Sequence, residues 1–244
     1  LATGVLVCLI GRATKLANIL TNQDKEYIAS FKLGILTDTL DITGKVLKEE
    51  NFIYNKKGII KAINSFKRNY YQEVPAYSAV KVKGKKLYEY ARKNEKINLP
   101  KKEINIYDIK LLSIHGDIIT IKTKVSKGTY IRSLIRDIGN YLGTYATLTD
   151  LERTTLGQFD IKDANTIDDI IDNKYHFYSV LNLLKDYPKE EIDPEMLFKV
   201  KNGQIIEKSI KDHLLFTVHN QEIALYEKYD DNHIKPSVMF YINK

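Results

Sequence analysis

An abrupt change of hydrophobic period limits the fold of this chain more than any other feature of its sequence. Ile119, Ile121, Thr123 and Val125 alternate with Thr120, Lys122 and Lys124, the two-residue repeat of a half-buried strand. Ile131, Leu134, Ile135, Ile138 and Leu142 then recur at three- and four-residue spacing, the stripe of an amphipathic helix. Arg132, Arg136 and Asn140 occupy the opposite face of that helix. Tyr27 to Gly34 reads as a second strand, with Tyr27, Ala29, Phe31 and Leu33 on one side. Lys57 to Arg68 reads as a second helix, apolar at Ile59, Ile60, Ile63 and Phe66. Thr166 is placed to cap a short helix with acids in its first turn. After Pro188 the pattern becomes short apolar strands, Leu214–Val218, Ile223–Tyr226 and Val238–Ile242, behind a linker near Asp186–Lys189. The expected architecture is α+β, with a main domain over 1–185 and a small β domain over 186–244.

Composition removes several classes of function. No stretch approaches the roughly 18 uninterrupted apolar residues of a membrane span. The single cysteine leaves neither a disulfide framework nor a Cys-rich zinc module, and the five histidines show no ligand spacing. Asp38 and Asp41 lack further acidic or histidine partners, so a loop is expected there rather than a metal site. A soluble, cytoplasmic protein without metal is the expectation, and a monomer. The chain opens Leu1-Ala2-Thr3-Gly4 and runs straight into the apolar Val5–Ile10, as if in the middle of a core strand. Cys8 should then pack as a small buried hydrophobe. Such an opening also suggests that residues precede Leu1.

Charge is concentrated. Nine Lys and Arg against Glu89 and Glu95 fall between Lys81 and Lys102, a local +7 that equals the net charge of the whole chain. From Lys189 onward, eight Lys face ten Asp and Glu. A block of this kind suits a polyanion, nucleic acid or an anionic membrane surface, or is a solvated lysine face in a Lys-, Asn- and Ile-rich sequence.

Between strand and helix stands Ser126-Lys-Gly-Thr-Tyr-Ile-Arg132. Gly128 permits a tight turn, and Thr129 or Ser126 can cap the helix that follows. Arg132 lies in the first turn, where a cation opposes the helix dipole. It is either a surface arginine or one held by an acidic or phosphate partner.

This segment resembles the signature of TruB-type tRNA pseudouridine synthases. Further segments agree in order: Leu1-Ala-Thr-Gly-Val-Leu with Gly11-Arg-Ala-Thr-Lys15, Lys25-Glu-Tyr27, and Thr37-Asp-Thr-Leu-Asp41. So do Val74-Pro-Ala-Tyr-Ser-Ala-Val-Lys81, Gly84-Lys-Lys-Leu-Tyr-Glu-Tyr-Ala-Arg92, Leu151-Glu-Arg153-Thr and Gly157-Gln-Phe159. The residues after Pro188 are more loosely similar to a PUA-like RNA-binding domain. The resemblance implies a mixed, largely antiparallel catalytic sheet. It also implies isomerisation of uridine 55 in the TΨC stem-loop of tRNA, with no cofactor.

By the same resemblance, Arg132 pairs with the nucleophilic aspartate and Tyr27 stacks on the target base and serves as a late base. Read from alternation alone, Tyr27 is a core aromatic. Tyr130 and Leu151 match residues lining the uracil pocket, and Lys15, Lys81, Lys83, Lys85, Lys86, Arg92 and Lys127 are the candidates for phosphate contacts. The family's aspartate belongs to a Gly-Thr-Leu-Asp-Pro segment that directly precedes Leu-Ala-Thr-Gly, so it is expected upstream of Leu1. The chain as written is then expected to be inactive, with Arg132 lacking its partner. An RNA-binding remnant without catalysis is the alternative. A guide-RNA-dependent relative would carry extra helical insertions and a larger basic PUA domain. Val125, Glu152 and Thr147 depart from residues common in the family, a cysteine, an arginine and a histidine; Glu152 removes positive charge near the pocket.

Overall fold

The computed structural model describes residues 2–240. They form two compact units: those up to Val7 with Leu20–Ala164, and Cys8–Ile19 with those from Asn165 on. The first unit is built on a seven-stranded sheet. Its strands are β1 (Ala2–Gly4), β2 (Lys25–Leu33), β3 (Asn69–Glu73), β4 (Lys101–His115), β5 (Ile118–Val125), β6 (Ala146–Leu156) and the short β7 (Phe159–Asp160). The order is β1-β6-β2-β5-β4-β3, with β7 beside β6. Only β1 runs parallel to its neighbour. Helices α1 (Lys56–Ser65) and α2 (Ile131–Leu142) complete the core.

Alternation in β2 and β5 is what fixes the register. Ala29 faces Ile121 on one side and Leu151 on the other, and Phe31 faces Ile119 and Leu148. Ala29, Phe31, Ile119 and Ile121 are fully buried with Ile59, Ile63, Leu134, Ile135 and Ile138 from the two helices. The period change near Ser126 therefore marks the place where the chain leaves the sheet to cover it.

Gly139 shows how close that cover lies. A Cβ there would stand 2.7 Å from the Ala146 Cβ and 2.8 Å from the Ala146 nitrogen. In an open helix Gly→Ala stabilises by about 1 kcal/mol. Overpacking a tight contact costs about 1–3 kcal/mol, so Gly139→Ala should shift the urea midpoint downward. An upward shift would refute the close approach.

Several sequence expectations need correction. The Val5–Ile10 run is not a core strand: β1 ends at Gly4, whose φ of +95° breaks the extended backbone. Val5 is buried, but Leu6, Ile10 and Cys8 are exposed. Helix α1 starts one residue earlier than expected, where the Asn55 side chain accepts from Gly58 N–H at 2.7 Å, and it stops at Ser65. Ile60 points outward.

The second unit has a five-stranded sheet ordered Lys189–Glu191, His213–Val218, Gln221–Lys228, His233–Met239 and Ile206–Glu207. Phe216, Ala224, Tyr226 and Ile234 form its core with Val200 from the helix Pro194–Lys201. The end of the expected strand Val238–Ile242, like Leu1, lies outside the described residues. Thr166 caps Ile167–Ile171 as expected, in a reciprocal capping box with Asp169.

Candidate active site

The turn between β5 and α2 is assembled by backbone pairing. Ser126 N–H donates to the Asn105 carbonyl at 2.9 Å, and Asn105 N–H donates to Ser126 Oγ at 2.9 Å. Gly128 lies beneath the end of the Lys102 side chain, and its φ of +77° is a backbone conformation that favours glycine. Neither Ser126 nor Thr129 caps the helix; the two hydroxyls lie 3.5 Å from each other instead. Tyr130 occupies the cap position, and its N–H donates to Gln72 Oε1 at 2.8 Å.

Arg132 follows in the first turn and has three partners. Nη1 donates to the Thr39 carbonyl at 2.8 Å and to Asp41 Oδ2 at 3.1 Å, while Nη2 donates to the Tyr77 carbonyl at 2.9 Å. The side chain remains about a quarter exposed (24 %). Besides the upstream aspartate that the resemblance implies, Arg132 therefore has partners within the chain itself. Asp41, expected from sequence to lie in a loop or to support the site from behind, holds it from 91 positions away. Three bonds saturate Asp41 Oδ1: Thr43 Oγ1 at 2.5 Å, Thr39 Oγ1 at 3.0 Å and Thr43 N–H at 3.2 Å. Asp38 is likewise tied to its loop, accepting from Lys45 N–H and Tyr77 Oη.

Burial pushes the Asp41 carboxyl upward, but the threonine bonds and the Arg132 charge together outweigh it, and its pKa falls below the ordinary value. A carboxyl depressed in the folded state contributes stability above its unfolded pKa of about 3.9, and that contribution is lost as pH falls through the folded value. Asp41→Asn should therefore flatten the loss of stability between neutral pH and the acid range. Urea midpoints taken from pH 6 down to pH 3 check this; parallel curves for both proteins would refute it.

Tyr27 stands on β2 opposite Arg153 of β6 and Thr123 of β5. It is half-buried and, like Leu151, packs against the core that α2 covers. Burial raises the Tyr27 phenol, opposed by the charge of Arg153 and a hydrogen bond from it. Arg153 in turn donates from Nε to the Val5 carbonyl at 2.7 Å, and from Nη2 to the same oxygen. Tyr27 and Leu151 thus both pack against the core to which α2 contributes, while Tyr130 caps that helix and Arg132 lies in its first turn.

The basic residues divide between the units. Lys81–Val82 and Lys85–Lys86 form a hairpin turned at Lys83 and Gly84, both at positive φ, and lead into the helix Leu87–Arg92. Lys86 and Arg92 lie over the Tyr88 ring at 5.5 and 5.3 Å, and Lys85 over Tyr90 at 5.7 Å. Lys81, Lys83 and Lys127 are exposed and make no ion pair with the described residues. Lys15 lies in the second unit, and its Nζ donates to the Met239 carbonyl at 2.7 Å. Among the described residues no cluster of His, Cys, Asp or Glu could hold a metal ion. No helix is long and apolar enough to cross a membrane, again among those residues.

Comparison with known proteins gives this geometry a family. Residues 1–131 match the TruB family pseudouridylate synthase N-terminal domain, and residues 132–187 match the tRNA pseudouridylate synthase B C-terminal domain. The tRNA pseudouridine synthase B of Clostridium tetani is 42 % identical over 206 residues, covering 83 % of this chain and 71 % of that protein. Its counterpart in Caldicellulosiruptor saccharolyticus is 41 % identical over 213 residues, covering 86 % and 72 %. In a crystal structure of a Cbf5–Nop10–Gar1 complex one chain shares the fold, with TM-score 0.71, 21 % identity, and coverage of 98 % of this chain and 73 % of that one. This chain belongs to the TruB family of pseudouridylate synthases.

Proposed function

We propose that this chain supplies the base-holding and arginine-bearing part of a site that isomerises uridine 55 in the TΨC loop of tRNA to pseudouridine. The observation that carries the reading is the Arg132 constellation: a cation locked to two carbonyls and Asp41, two residues from Tyr130. In the reaction the C1′–N1 glycosidic bond breaks, C1′ joins C5, the C5 proton leaves and N1 takes up a proton. A carboxylate opens the cycle. In this reading it is the aspartate of the family segment that comes immediately before Leu1, and the exposed part of Arg132 keeps it ionised and oriented. Asp41 is unsuited to attack, because one oxygen is saturated by the threonines and the other is bound to Arg132.

Tyr27, Tyr130 and Leu151 hold the detached uracil. Because burial raises the Tyr27 phenol, Tyr27 stacks as a neutral ring, and it takes the C5 proton only as its own proton passes on toward N1, which needs one. The hairpin lysines, Arg92 and Lys127 position the RNA through its phosphates, Lys15 and residues 186–244 add contacts from the second unit, and the protein works as a cytoplasmic monomer with no metal or organic cofactor.

Release of isotope from C5-labelled uridine in tRNA tests this. The comparison is between this chain and one extended upstream by the family's Asp-containing segment. Release by the extended chain alone is expected. Release by residues 1–244 unaided would move the nucleophile inside the chain, and release by neither would refute the reading.

A further inference from the structure

We propose that Gln72 is a positioning residue, which fixes the Tyr130–Arg132 turn so that it can receive the substrate uracil. The proposal rests on the uridine-isomerising reading above. It starts from the Tyr130 N–H, which lies at the open end of α2 and donates to Gln72 Oε1 at 2.8 Å. A backbone N–H can only donate, so the oxygen of the Gln72 amide must face it. The Nε2 then faces the Tyr70 hydroxyl, 2.9 Å away, and donates to it. The Tyr70 proton is therefore directed to Asp137 Oδ2 at 3.1 Å. Asp137 Oδ1 is held by Arg136 through Nε at 3.0 Å and Nη2 at 2.8 Å.

Every bond in this relay thus has one possible direction, and such chains reinforce each other in a dry interior. Gln72 is buried, at 1 % exposure. The relay leaves α2 at Arg136 and Asp137, crosses β3, and returns to Tyr130, the residue at the cap position of the same helix. Ser133 Oγ and Arg136 also bind Glu73, so the end of β3 is clamped to the helix at two neighbouring points. What those clamps do not hold is the Tyr130 peptide itself. Gln72 alone among the described hydrogen bonds fixes that N–H, and Tyr130 and Arg132 extend from the backbone it orients.

The test uses a TΨC stem-loop RNA with 5-fluorouridine at the target position, followed by fluorine NMR on the whole chain, which needs no chemical step. The unaltered protein should shift the fluorine resonance on binding. Gln72→Met should bind the RNA within about twofold of that affinity, because the distant lysines are untouched. Its shifted population should fall about five- to tenfold, the worth of one buried hydrogen bond. Gln72→Glu keeps an acceptor for Tyr130 and should restore the shifted population.

An undiminished shift in Gln72→Met overturns the proposal while leaving the isomerase reading intact, and so does equal depletion in both variants. No shift with the unaltered protein refutes that reading and this proposal with it. Should Gln72→Met fail to unfold cooperatively, Tyr70→Phe, which releases the far end of the amide, takes its place. A partial loss is expected there, and an unchanged shift overturns the proposal.

Discussion

Replacing Arg132 with methionine is expected to lower the unfolding free energy by about 2–3 kcal/mol, read from urea midpoints at neutral pH. Breaking a buried pair from one side costs about 3–5 kcal/mol, and the partial exposure of this one reduces that. The loss is spread over three acceptors: the Thr39 and Tyr77 carbonyls and Asp41. Lysine should recover less than half of it. One ammonium cannot span the Thr39 carbonyl and the Asp41 carboxylate on one loop and the Tyr77 carbonyl on another.

The double variant with Asp41→Asn provides the sharper check. The orphaned carboxylate is a large part of the single-variant penalty, so the double variant should be less unstable than the sum of the two single ones by about 1 kcal/mol. Strict additivity would mean that the pair is only a surface contact. In an Asp-extended chain, Arg132→Met should also slow uridine isomerisation by on the order of 10²–10³-fold, the usual effect of losing one preorganised charge in a site.

The Arg132 pair also shows what the sequence can and cannot disclose. Strand β5 and helix α2 are legible because burial repeats at a fixed period, and the structure places both within a residue of expectation. The Thr166 cap is legible because Thr166 and Asp169 lie within one turn. A cation at a helix start points to an anion, but nothing in the periodicity says which one. Asp41 reaches Arg132 only after β6 has brought the 37–43 loop alongside the helix, by a bridge between Asp41 and Leu148.

Gln72 is invisible for the same reason, since its partner N–H is 58 positions away. The Val5–Ile10 run misleads in the opposite sense. An apolar run carries no mark of whether a sheet receives it, and one glycine at positive φ turns it out. The helix Pro194–Lys201 had a readable start, Asp193 followed by Pro194 at its first position, and its short length hid it among the strands.

Neutralising the hairpin should have the largest effect on RNA. If about five lysines touch phosphate, log affinity for tRNA falls with log salt at a slope of roughly −3 to −5. Changing Lys81, Lys83, Lys85 and Lys86 together to glutamine should reduce that slope by about 3 and weaken binding about a thousandfold at 0.1 M salt. Folding should be nearly unaffected, because three of the four are exposed and none forms an ion pair with the described residues.

The four positions are not equivalent, and the structure ranks them. Lys81 and Lys83 form no ion pair with the described residues, whereas Lys85 and Lys86 rest over Tyr90 and Tyr88 and must leave those rings or share them. The pair 81 and 83 should therefore account for more of the slope than the pair 85 and 86. Lys15 should contribute least, because its ammonium already serves the Met239 carbonyl. A quadruple variant that binds with the original salt slope would remove the hairpin from the RNA interface. The source of affinity would then have to lie with Arg92, Lys127 and the second unit.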